Sequence, residues 1–204
     1  MMNNVQVIEK PDFISWDSIH EILYKAHESN RKNGVFMRTA TLSGEELKNR
    51  IGDKGQCFVV LVNGELAGTI SVKFILRNTW YHKGRIADMM LAGVLPKYKG
   101  CGLYSLLTQE CYAYSKKNGI DVIELDTAEG NIKLQSISLK NEFKYVATKA
   151  SPYTKHYSVV MVKWLGKCPF STKYINFRYK LQTFLFKLRY KRGSVNRLLI
   201  WKKV

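Results

Sequence analysis

The residues whose types and spacing most clearly suggest a binding site lie between a predicted strand and a predicted helix. They form the segment KGCGLY at positions 99–104. Gly100 and Gly102 allow a close approach of the backbone to a ligand, and the first N–H groups of a helix have no partner within it. The helix dipole favours an anion at that end, and Lys97 and Lys99 add positive charge. The pattern predicts a phosphate or pyrophosphate site; a plain Gly-x-Gly turn is the alternative.

Two familiar phosphate-binding motifs fit this segment poorly. A Walker loop needs Gly-Lys-Ser or Gly-Lys-Thr, and the sequence has neither. A dinucleotide fingerprint comes closer, because Gly100-x-Gly102-x-x-Ser105 opens a helix and Glu124 and Asp126 follow about 20 residues later. That fingerprint introduces a doubly wound sheet, whereas here a β-hairpin precedes the segment and too little chain follows it.

The elements around this segment predict an α+β fold. Helical spacing of apolar residues predicts two helices, in SWDSIHEILYKAHESNRKNG and in TLSGEELKNRIG. Ser43 and Glu46 form a predicted capping box at the start of the second helix. CFVVLVNGELAGTISVKFIL reads as two strands around Asn63-Gly64, because Asn-Gly accepts positive φ at both central positions of a tight turn. We therefore expect the glycine-rich segment to follow an antiparallel sheet.

The second half of the chain predicts one parallel crossover. RIADMMLAGVL is a strand, residues 103–117 form an amphipathic helix, and IDVIELD is a buried strand. Asn131 is positioned to cap another helix, and FKYVATKA and HYSVVMVKWL are two further strands. A strand, a helix and a parallel strand in this order give a mixed sheet.

The segment VLPKYKGCGLY resembles the acyl-CoA-binding motif of the GNAT superfamily of N-acetyltransferases. That motif is Val-x-Pro, a short aromatic and basic step, then Gln/Arg-x-x-Gly-x-Gly/Ala. The resemblance continues at Asn131 and at Asn141-Glu142-Phe143, where the family has a helix-opening Asn and a Gly-Phe, and upstream in the hairpin VLVNGELAGTISV. It covers roughly residues 5–165.

The resemblance implies a GNAT-like fold and an acetyl-CoA-dependent transfer of acetyl to a primary amine. The implied fold is a mixed, mostly antiparallel sheet with a splayed parallel pair, flanked by helices. Acetyl-CoA is then the co-substrate and no metal is expected, since the four cysteines lack metal-binding spacing. The residues implied in binding acetyl-CoA are Val94, Leu95, Lys99, Gly100, Cys101, Gly102, Leu103, Tyr104 and Asn131.

Three carboxylates are candidates for the base that removes the amine proton. Asp126 precedes Asn131 by five residues, where some members of the family carry a catalytic carboxylate, and Glu124 shares its strand face. Asp88 lies on the strand before the glycine-rich segment. The alternative for each is an ordinary polar residue at a sheet edge.

The sequence departs from the family motif at four positions. Lys99 replaces a Gln or Arg, Tyr104 replaces a small residue at the helix start, and Glu142 replaces a Gly. Ser138 stands where the family often has a Tyr that protonates the leaving thiolate. This last change leaves the proton donor open, and it favours as an alternative a GNAT-fold module that binds acyl-CoA without turnover.

The C-terminal segment is strongly basic. The chain has a net charge of +17, and its last 40 residues contain 11 of the 33 Lys and Arg but none of the 16 acidic residues. Apolar residues recur there at helical spacing, with Lys173, Lys180, Lys187 and Lys191 away from them. This predicts a basic amphipathic helix that lies on an anionic membrane surface or one that docks on the domain. The apolar positions are Tyr174, Phe177, Leu181, Phe184, Leu185 and Leu188.

These features predict two parts, an N-acetyltransferase domain at 5–165 and a basic extension at 166–204. The N-terminus resembles no signal peptide and no run of 18 apolar residues occurs, so we expect a cytoplasmic protein, with the extension as a possible attachment to the inner face of the membrane. The preferred acceptor is a sugar amine on a nucleotide or a lipid diphosphate, since both are anionic. A ribosome- or nucleic-acid-associated acetyltransferase is a further alternative, although no nucleic-acid-binding module is evident.

Overall fold

The computed structural model describes residues 4–53, 55–150 and 157–192, with side chains up to residue 189. Seven strands and six helices are assigned in these ranges. The strands are β1 (Val5–Glu9), β2 (Gly55–Val62), β3 (Glu65–Asn78), β4 (Lys83–Val94), β5 (Val122–Ala128), β6 (Lys144–Ala150) and β7 (Tyr157–Trp164). The helices are α1 (Trp16–Ala26), α2 (Glu28–Lys32), α3 (Gly44–Ile51), α4 (Leu103–Lys117), α5 (Ile132–Lys140) and α6 (Thr172–Arg192).

Local sequence signals set several of these boundaries. The Ser43 hydroxyl accepts from the Glu46 N–H and the Glu46 carboxylate accepts from the Ser43 N–H, which is the predicted capping box at the start of α3. Asn63 and Gly64 both have positive φ and turn β2 into β3, as their sequence predicts. The Asn131 side chain accepts from the Leu134 N–H and opens α5.

The strands form one sheet in the order β1-β2-β3-β4-β5-β7-β6. All neighbours are antiparallel except β4 and β5, which are parallel and pair only at Ala87 with Ile123 and at Asp88 with Glu124. Beyond that point the strands diverge, although β4 continues to Val94 and β5 to Ala128. The splayed parallel pair implied by the GNAT resemblance is thus present.

A bulge in β4 shapes the open side of this pair. The register with β3 shifts between Thr69 and Ser71, and Leu91 has a φ of 50°, a left-handed conformation that is unusual for a branched residue. Leu91 therefore points towards α1 and α3, whereas Met89 packs against α4. Gly93 follows directly under α1, where a Cβ would lie 2.9 Å from the Ala26 Cβ, so the bulge and this glycine let α1 approach the end of β4.

Helix α6 packs against β6, the edge strand of the sheet. Ile175 is buried, and the Gln182 side chain accepts from the Thr148 N–H and donates to the Thr148 carbonyl. Tyr179 stacks on Tyr145 at 5.2 Å between ring centroids. The helix thus satisfies backbone groups of an edge strand that would otherwise be open to pairing.

The face of α6 that docks on the sheet is not the one that the sequence pattern singled out. We call the six predicted apolar positions of α6 the outer stripe. All six residues are exposed, with relative accessibilities between 41% and 60%: Tyr174, Phe177, Leu181, Phe184, Leu185 and Leu188. The helix therefore docks on the domain, as the second alternative predicted, but mainly through another face; of the outer stripe, Tyr174 contacts the Trp80 and Phe170 rings. The division of the chain into 5–165 and 166–204 stays a prediction, and residues 193–204 of the extension lie outside the described residues.

The short strand β1 was not anticipated from the sequence. It pairs with β2 from Val5 to Glu9. Among the described residues, no helix combines the length and the apolar character needed to span a membrane.

Candidate active site

The glycine-rich segment lies at the mouth of a cleft of about 310 Å³ between α1, β4, α4 and α5, which we call the cofactor cleft. Its lining includes seven of the nine residues that the resemblance implied in binding acetyl-CoA. They are Val94, Lys99, Gly100, Gly102, Leu103, Tyr104 and Asn131. Leu95 and Cys101 are adjacent in sequence but do not line the cleft; Cys101 is exposed.

The backbone around Gly102 suits an anion. Gly100 and Gly102 have φ values of 88° and 80°, and no atom lies within 4 Å of the place where a Cβ would stand. Gly102 is the N-cap of α4 and no side chain caps this helix. The Ser105 N–H donates to the Gly102 carbonyl at 2.9 Å, whereas the N–H groups of Leu103 and Tyr104 have no acceptor among the described residues. These two groups are available to a phosphate oxygen, and the chain fits the diphosphate of acetyl-CoA at this position.

The lysines near the segment differ in their role. The Lys99 ammonium donates to the Ala26 carbonyl at 2.7 Å, and burial together with the charge of Lys133 lowers its pKa. Lys133, which sequence reasoning missed, lines the cofactor cleft beside it. Lys97 instead forms an ion pair with Glu65 at 3.1 Å outside the cleft, so the expectation that Lys97 adds charge to the phosphate site is wrong.

A second cleft of about 320 Å³, which we call the acceptor cleft, opens on the other side of the divergence between β4 and β5. The two clefts share His27, Ala92, Tyr104 and Leu134 in their linings. The two clefts therefore adjoin each other beside the point where β4 and β5 diverge, and we call the place where they meet the junction.

Asp126 is the candidate base that lines the acceptor cleft. Its carboxylate lies 3.2 Å from the Lys149 ammonium, and its side chain is 35% exposed. A carboxylate that is partly exposed in the lining of this cleft is able to contact an incoming amine. Lys149 comes from β6 and lines the same cleft, so it holds Asp126 without removing it from solvent.

Glu124 is fully engaged with protein groups. Its Oε1 accepts from Arg77 Nη2 at 2.7 Å and its Oε2 accepts from the Tyr81 hydroxyl at 2.6 Å. The carboxylate is 3% exposed, and its contacts hold the β3–β4 hairpin against β5. Its catalytic role stays a prediction, and these contacts favour a structural one.

Asp88 lies beside Glu124 in the paired part of β4 and β5. Burial, with the charges of Asp126 and Glu124, raises the pKa of Asp88 to about 6, while Lys149 and Lys73 act in the opposite direction. Asp88 does not line the acceptor cleft. Asp88 is thus coupled to Asp126 electrostatically but lies in the lining of neither cleft.

His27, for which the sequence offered no role, lies where the two clefts meet. It follows α1, its Nδ1 lies 3.2 Å from Asn30 Nδ2, and it hydrogen-bonds to the backbone of Ala92. Burial and the nearby charge of Lys99 lower its pKa to about 4, so the imidazole is neutral near pH 7. The sequence signal available was only its position after the apolar stripe of α1.

Two residues bear on the question of which group protonates the leaving thiolate: Ser138, which replaces the family's Tyr, and Tyr104, which is a new candidate. Ser138 is buried, lines neither cleft, and its hydroxyl has no hydrogen-bond partner among the described residues. Tyr104, the bulky departure at the start of α4, lines both clefts. Burial raises the pKa of its hydroxyl, which therefore stays protonated at neutral pH.

The splayed parallel pair, the uncapped start of α4 behind a Gly-Cys-Gly turn and the second cleft with a carboxylate agree with the GNAT resemblance. The sequence matches the Acetyltransferase (GNAT) family over residues 16–137. The chain therefore belongs to the GNAT family, and it is an N-acetyltransferase that uses acetyl-CoA. A search of curated proteins gave no match.

Solved structures agree with this fold. The PaiA N-acetyltransferase from Thermoplasma acidophilum in complex with coenzyme A is 19% identical, with a TM-score of 0.61 over 79% of this chain and 99% of that one. A GNAT-family acetyltransferase from Staphylococcus aureus is 17% identical, with a TM-score of 0.62 over 80% and 100%. The ribosomal-protein-S18-alanine N-acetyltransferase from Escherichia coli is 15% identical, with a TM-score of 0.61 over 80% and 96%. At these identities the similarity concerns the fold alone.

Proposed function

We propose that the chain transfers acetyl from acetyl-CoA to a primary amine in the acceptor cleft, with Asp126 accepting the amine proton. The observation that carries this proposal is that the two clefts adjoin at the junction, with Asp126 in the lining of one and the Gly100–Gly102 turn in the lining of the other. The chain then contributes positioning and proton removal. Asp126 is preferred to Glu124 and Asp88 because it alone of the three lines the acceptor cleft.

Tyr104 is our candidate for the group that protonates the departing thiolate. Its position in both linings supports this role, and so does a hydroxyl that stays protonated. Ser138, in contrast, is too short and too buried to replace the Tyr that the family often has at that position.

The acceptor that we favour is a sugar amine on an anionic carrier, either a nucleotide or a lipid diphosphate. Two features support it. The acceptor cleft contains Arg38, Arg50 and Lys149 against the single carboxylate of Asp126. Tyr157 lines the same cleft and contacts α6, with the Phe186 ring at 5.4 Å and the Lys187 ammonium at 5.9 Å. The basic helix α6 therefore lies next to the acceptor cleft.

We also propose that the outer stripe of α6 lies on an anionic membrane, which makes the protein a peripheral protein of the cytoplasmic membrane face. The stripe is exposed although the helix is docked, and exposed lysines run beside it at Lys173, Lys180 and Lys187. Apolar side chains next to cations are typical of a helix in the membrane interface, and each cation near an anionic leaflet contributes about 1 kcal/mol.

The transfer is tested with a thiol-release assay over a panel of amines that includes amino sugars, amino acids and a peptide with a free N-terminus. Asp126→Asn should lower kcat by about a hundredfold or more and leave the CoA affinity, measured by calorimetry, unchanged. Full activity of this variant between about pH 6 and pH 9 would return Asp126 to a structural role. CoA binding without turnover of any amine would instead favour the non-catalytic module, and preference for the peptide would favour a ribosome-linked acceptor.

Membrane attachment is tested by flotation with vesicles of acidic or of neutral lipid. Wild type should float only with acidic lipid and less in high salt, because salt screens exposed charges within about 10 Å at 0.1 M. Replacing Phe177 and Phe184 by Gln should abolish flotation without loss of stability, since both rings are 60% exposed. Ile175→Ala, on the docked face, is the matched control: it should lower stability and leave flotation in place. Flotation of the Phe-substituted variant to the same extent as wild type would refute the proposal.

A further inference from the structure

Two arginines line the acceptor cleft together with Asp126. Arg38 belongs to a short 3-10 turn at Arg38–Ala40, and Arg50 lies in the last turn of α3. Both line the acceptor cleft, as does Thr39 between them in the chain. None of these three residues lines the cofactor cleft. Binding of the acetyl-CoA diphosphate therefore does not explain why two arginines lie here.

The polar atoms of this side of the cleft are incompletely satisfied by the protein. Arg50 Nε and Thr39 Oγ1 are buried, and neither has a hydrogen-bond partner among the described residues. A buried donor without a partner is unfavourable, and more so when it belongs to a charged group. Such a cost is recovered when a ligand supplies the acceptor.

The surroundings of Arg38 and Arg50 are basic. The Lys73 ammonium donates to the backbone carbonyl of Arg50 at 3.0 Å. Burial and the charge of Arg50 lower the pKa of Arg38, and the carboxylate of Glu46 offsets this only in part. Glu46 is itself bound to the N-terminus of α3 through Ser43, and Asp126 is paired with Lys149.

We propose that Arg38 and Arg50 form an anion subsite that recognises a phosphate or carboxylate group on the acceptor amine. A guanidinium offers a planar pair of N–H donors that matches either oxyanion. The inference rests on the proposed function, because the amine of the same molecule must reach Asp126. A cleft of about 320 Å³ holds a small amine that carries such a group.

This assignment predicts which half of a matched pair of amines the enzyme prefers. Phosphoethanolamine should be used better than ethanolamine, and glucosamine phosphate better than glucosamine, if the subsite takes a phosphate. Alanine should be used better than alanine amide if it takes a carboxylate. We expect at least a tenfold difference in kcat/KM within the pair that fits.

Arg50→Gln should remove most of this preference by raising KM for the anionic amine, with little effect on its neutral partner. Lys48→Gln is the matched control, because it removes one charge from the same helix at an exposed position that does not line the cleft. If Lys48→Gln lowers the preference as much as Arg50→Gln, the effect is the general field of a basic protein and the subsite is refuted. Equal use of both members of every pair by wild type refutes it as well.

Direct binding keeps this test independent of turnover. Calorimetry with the protein saturated with CoA, which fills the cofactor cleft and cannot donate acetyl, should show binding of an anionic member with an affinity at least tenfold above that of its neutral partner. Arg50→Gln should remove this difference. Preferential binding without turnover would retain the subsite while the transfer proposal fails; turnover without preferential binding would retain the transfer and overturn the subsite.

Discussion

Replacing Asp88 by Asn should stabilise the protein, and the gain should grow with pH. The pKa of this carboxyl is raised from the ordinary 3.8 to about 6, first by burial and then by the charges of Asp126 and Glu124. The folded state therefore binds the Asp88 proton more tightly than the unfolded state does. The protonated Asp88 carboxyl therefore adds to the free energy of unfolding; this addition is fully present below about pH 4 and is lost as the pH rises through about 6.

The magnitude follows from the size of the shift. One pKa unit corresponds to about 1.4 kcal/mol, so ionised Asp88 lowers the free energy of unfolding by about 3 kcal/mol at pH 8 and by less than about 1 kcal/mol at pH 4. Asn has nearly the same shape and no charge. The gain in unfolding free energy from Asp88→Asn should therefore be about 2 kcal/mol larger at pH 8 than at pH 4.

Urea unfolding followed by tryptophan fluorescence at several pH values measures this difference. The pH dependence of wild type alone is not informative, because His27 also titrates. The pKa of His27 is lowered to about 4, so its contribution to the free energy of unfolding is lost as the pH falls below about 6.5. The comparison of variant with wild type at each pH cancels that effect. Asp53→Asn, at an exposed position after α3, is the control. A gain that is the same at both pH values would refute the electrostatic reasoning.

Three further results are expected. Gly102→Glu should abolish CoA binding in calorimetry, because it places bulk and negative charge at the uncapped start of α4; equal affinity would contradict the phosphate site. Glu124→Gln should lower the free energy of unfolding by about 2–4 kcal/mol, since it leaves Arg77 without its ion pair; a large loss of rate with unchanged stability would restore its catalytic role. Gln182→Ala should cost about 1–3 kcal/mol in urea unfolding by exposing two backbone groups of Thr148, and no change would show that α6 does not protect the edge.

The parts of the fold that the sequence predicted well depend on local chemistry. The helix expected at 103–117 is observed at Leu103–Lys117, because its apolar face and the glycines at both ends are encoded within the segment. The Ser43–Glu46 box and the Asn63-Gly64 turn were predicted for the same reason. The cofactor cleft was largely predictable, since its loop is contiguous in sequence.

The acceptor cleft was less predictable because its residues come from separate elements. Parity along β5 places Glu124 and Asp126 on one face, but their different roles depend on partners far away in the chain. Arg77 precedes Glu124 by 47 residues, and Lys149 reaches Asp126 from an edge strand. Nothing near Arg50 in the sequence indicates that its guanidinium enters a cleft.

The orientation of α6 has a similar physical reason. Its outer stripe follows helical spacing, but Ile175, Tyr179 and Phe186 supply a second apolar face on the other side of the helix. A helix that is apolar on two faces does not tell from its sequence which of them docks. The side chain that decides the matter is polar: Gln182 bonds both backbone groups of Thr148, which an apolar residue of the outer stripe could not do.

The position of α6 relates the two proposals about anionic partners. Tyr157 lines the acceptor cleft and also contacts Phe186 and Lys187 of α6, so a carrier at a surface beneath α6 would be next to the cleft. On the two proposals together, an amine on an anionic lipid would meet the lysines of α6 before its anionic group meets Arg38 and Arg50. If that order is correct, the Phe177 and Phe184 substitutions should slow acetylation of a lipid-linked amine in vesicles and leave the rate for the same head group in solution unchanged.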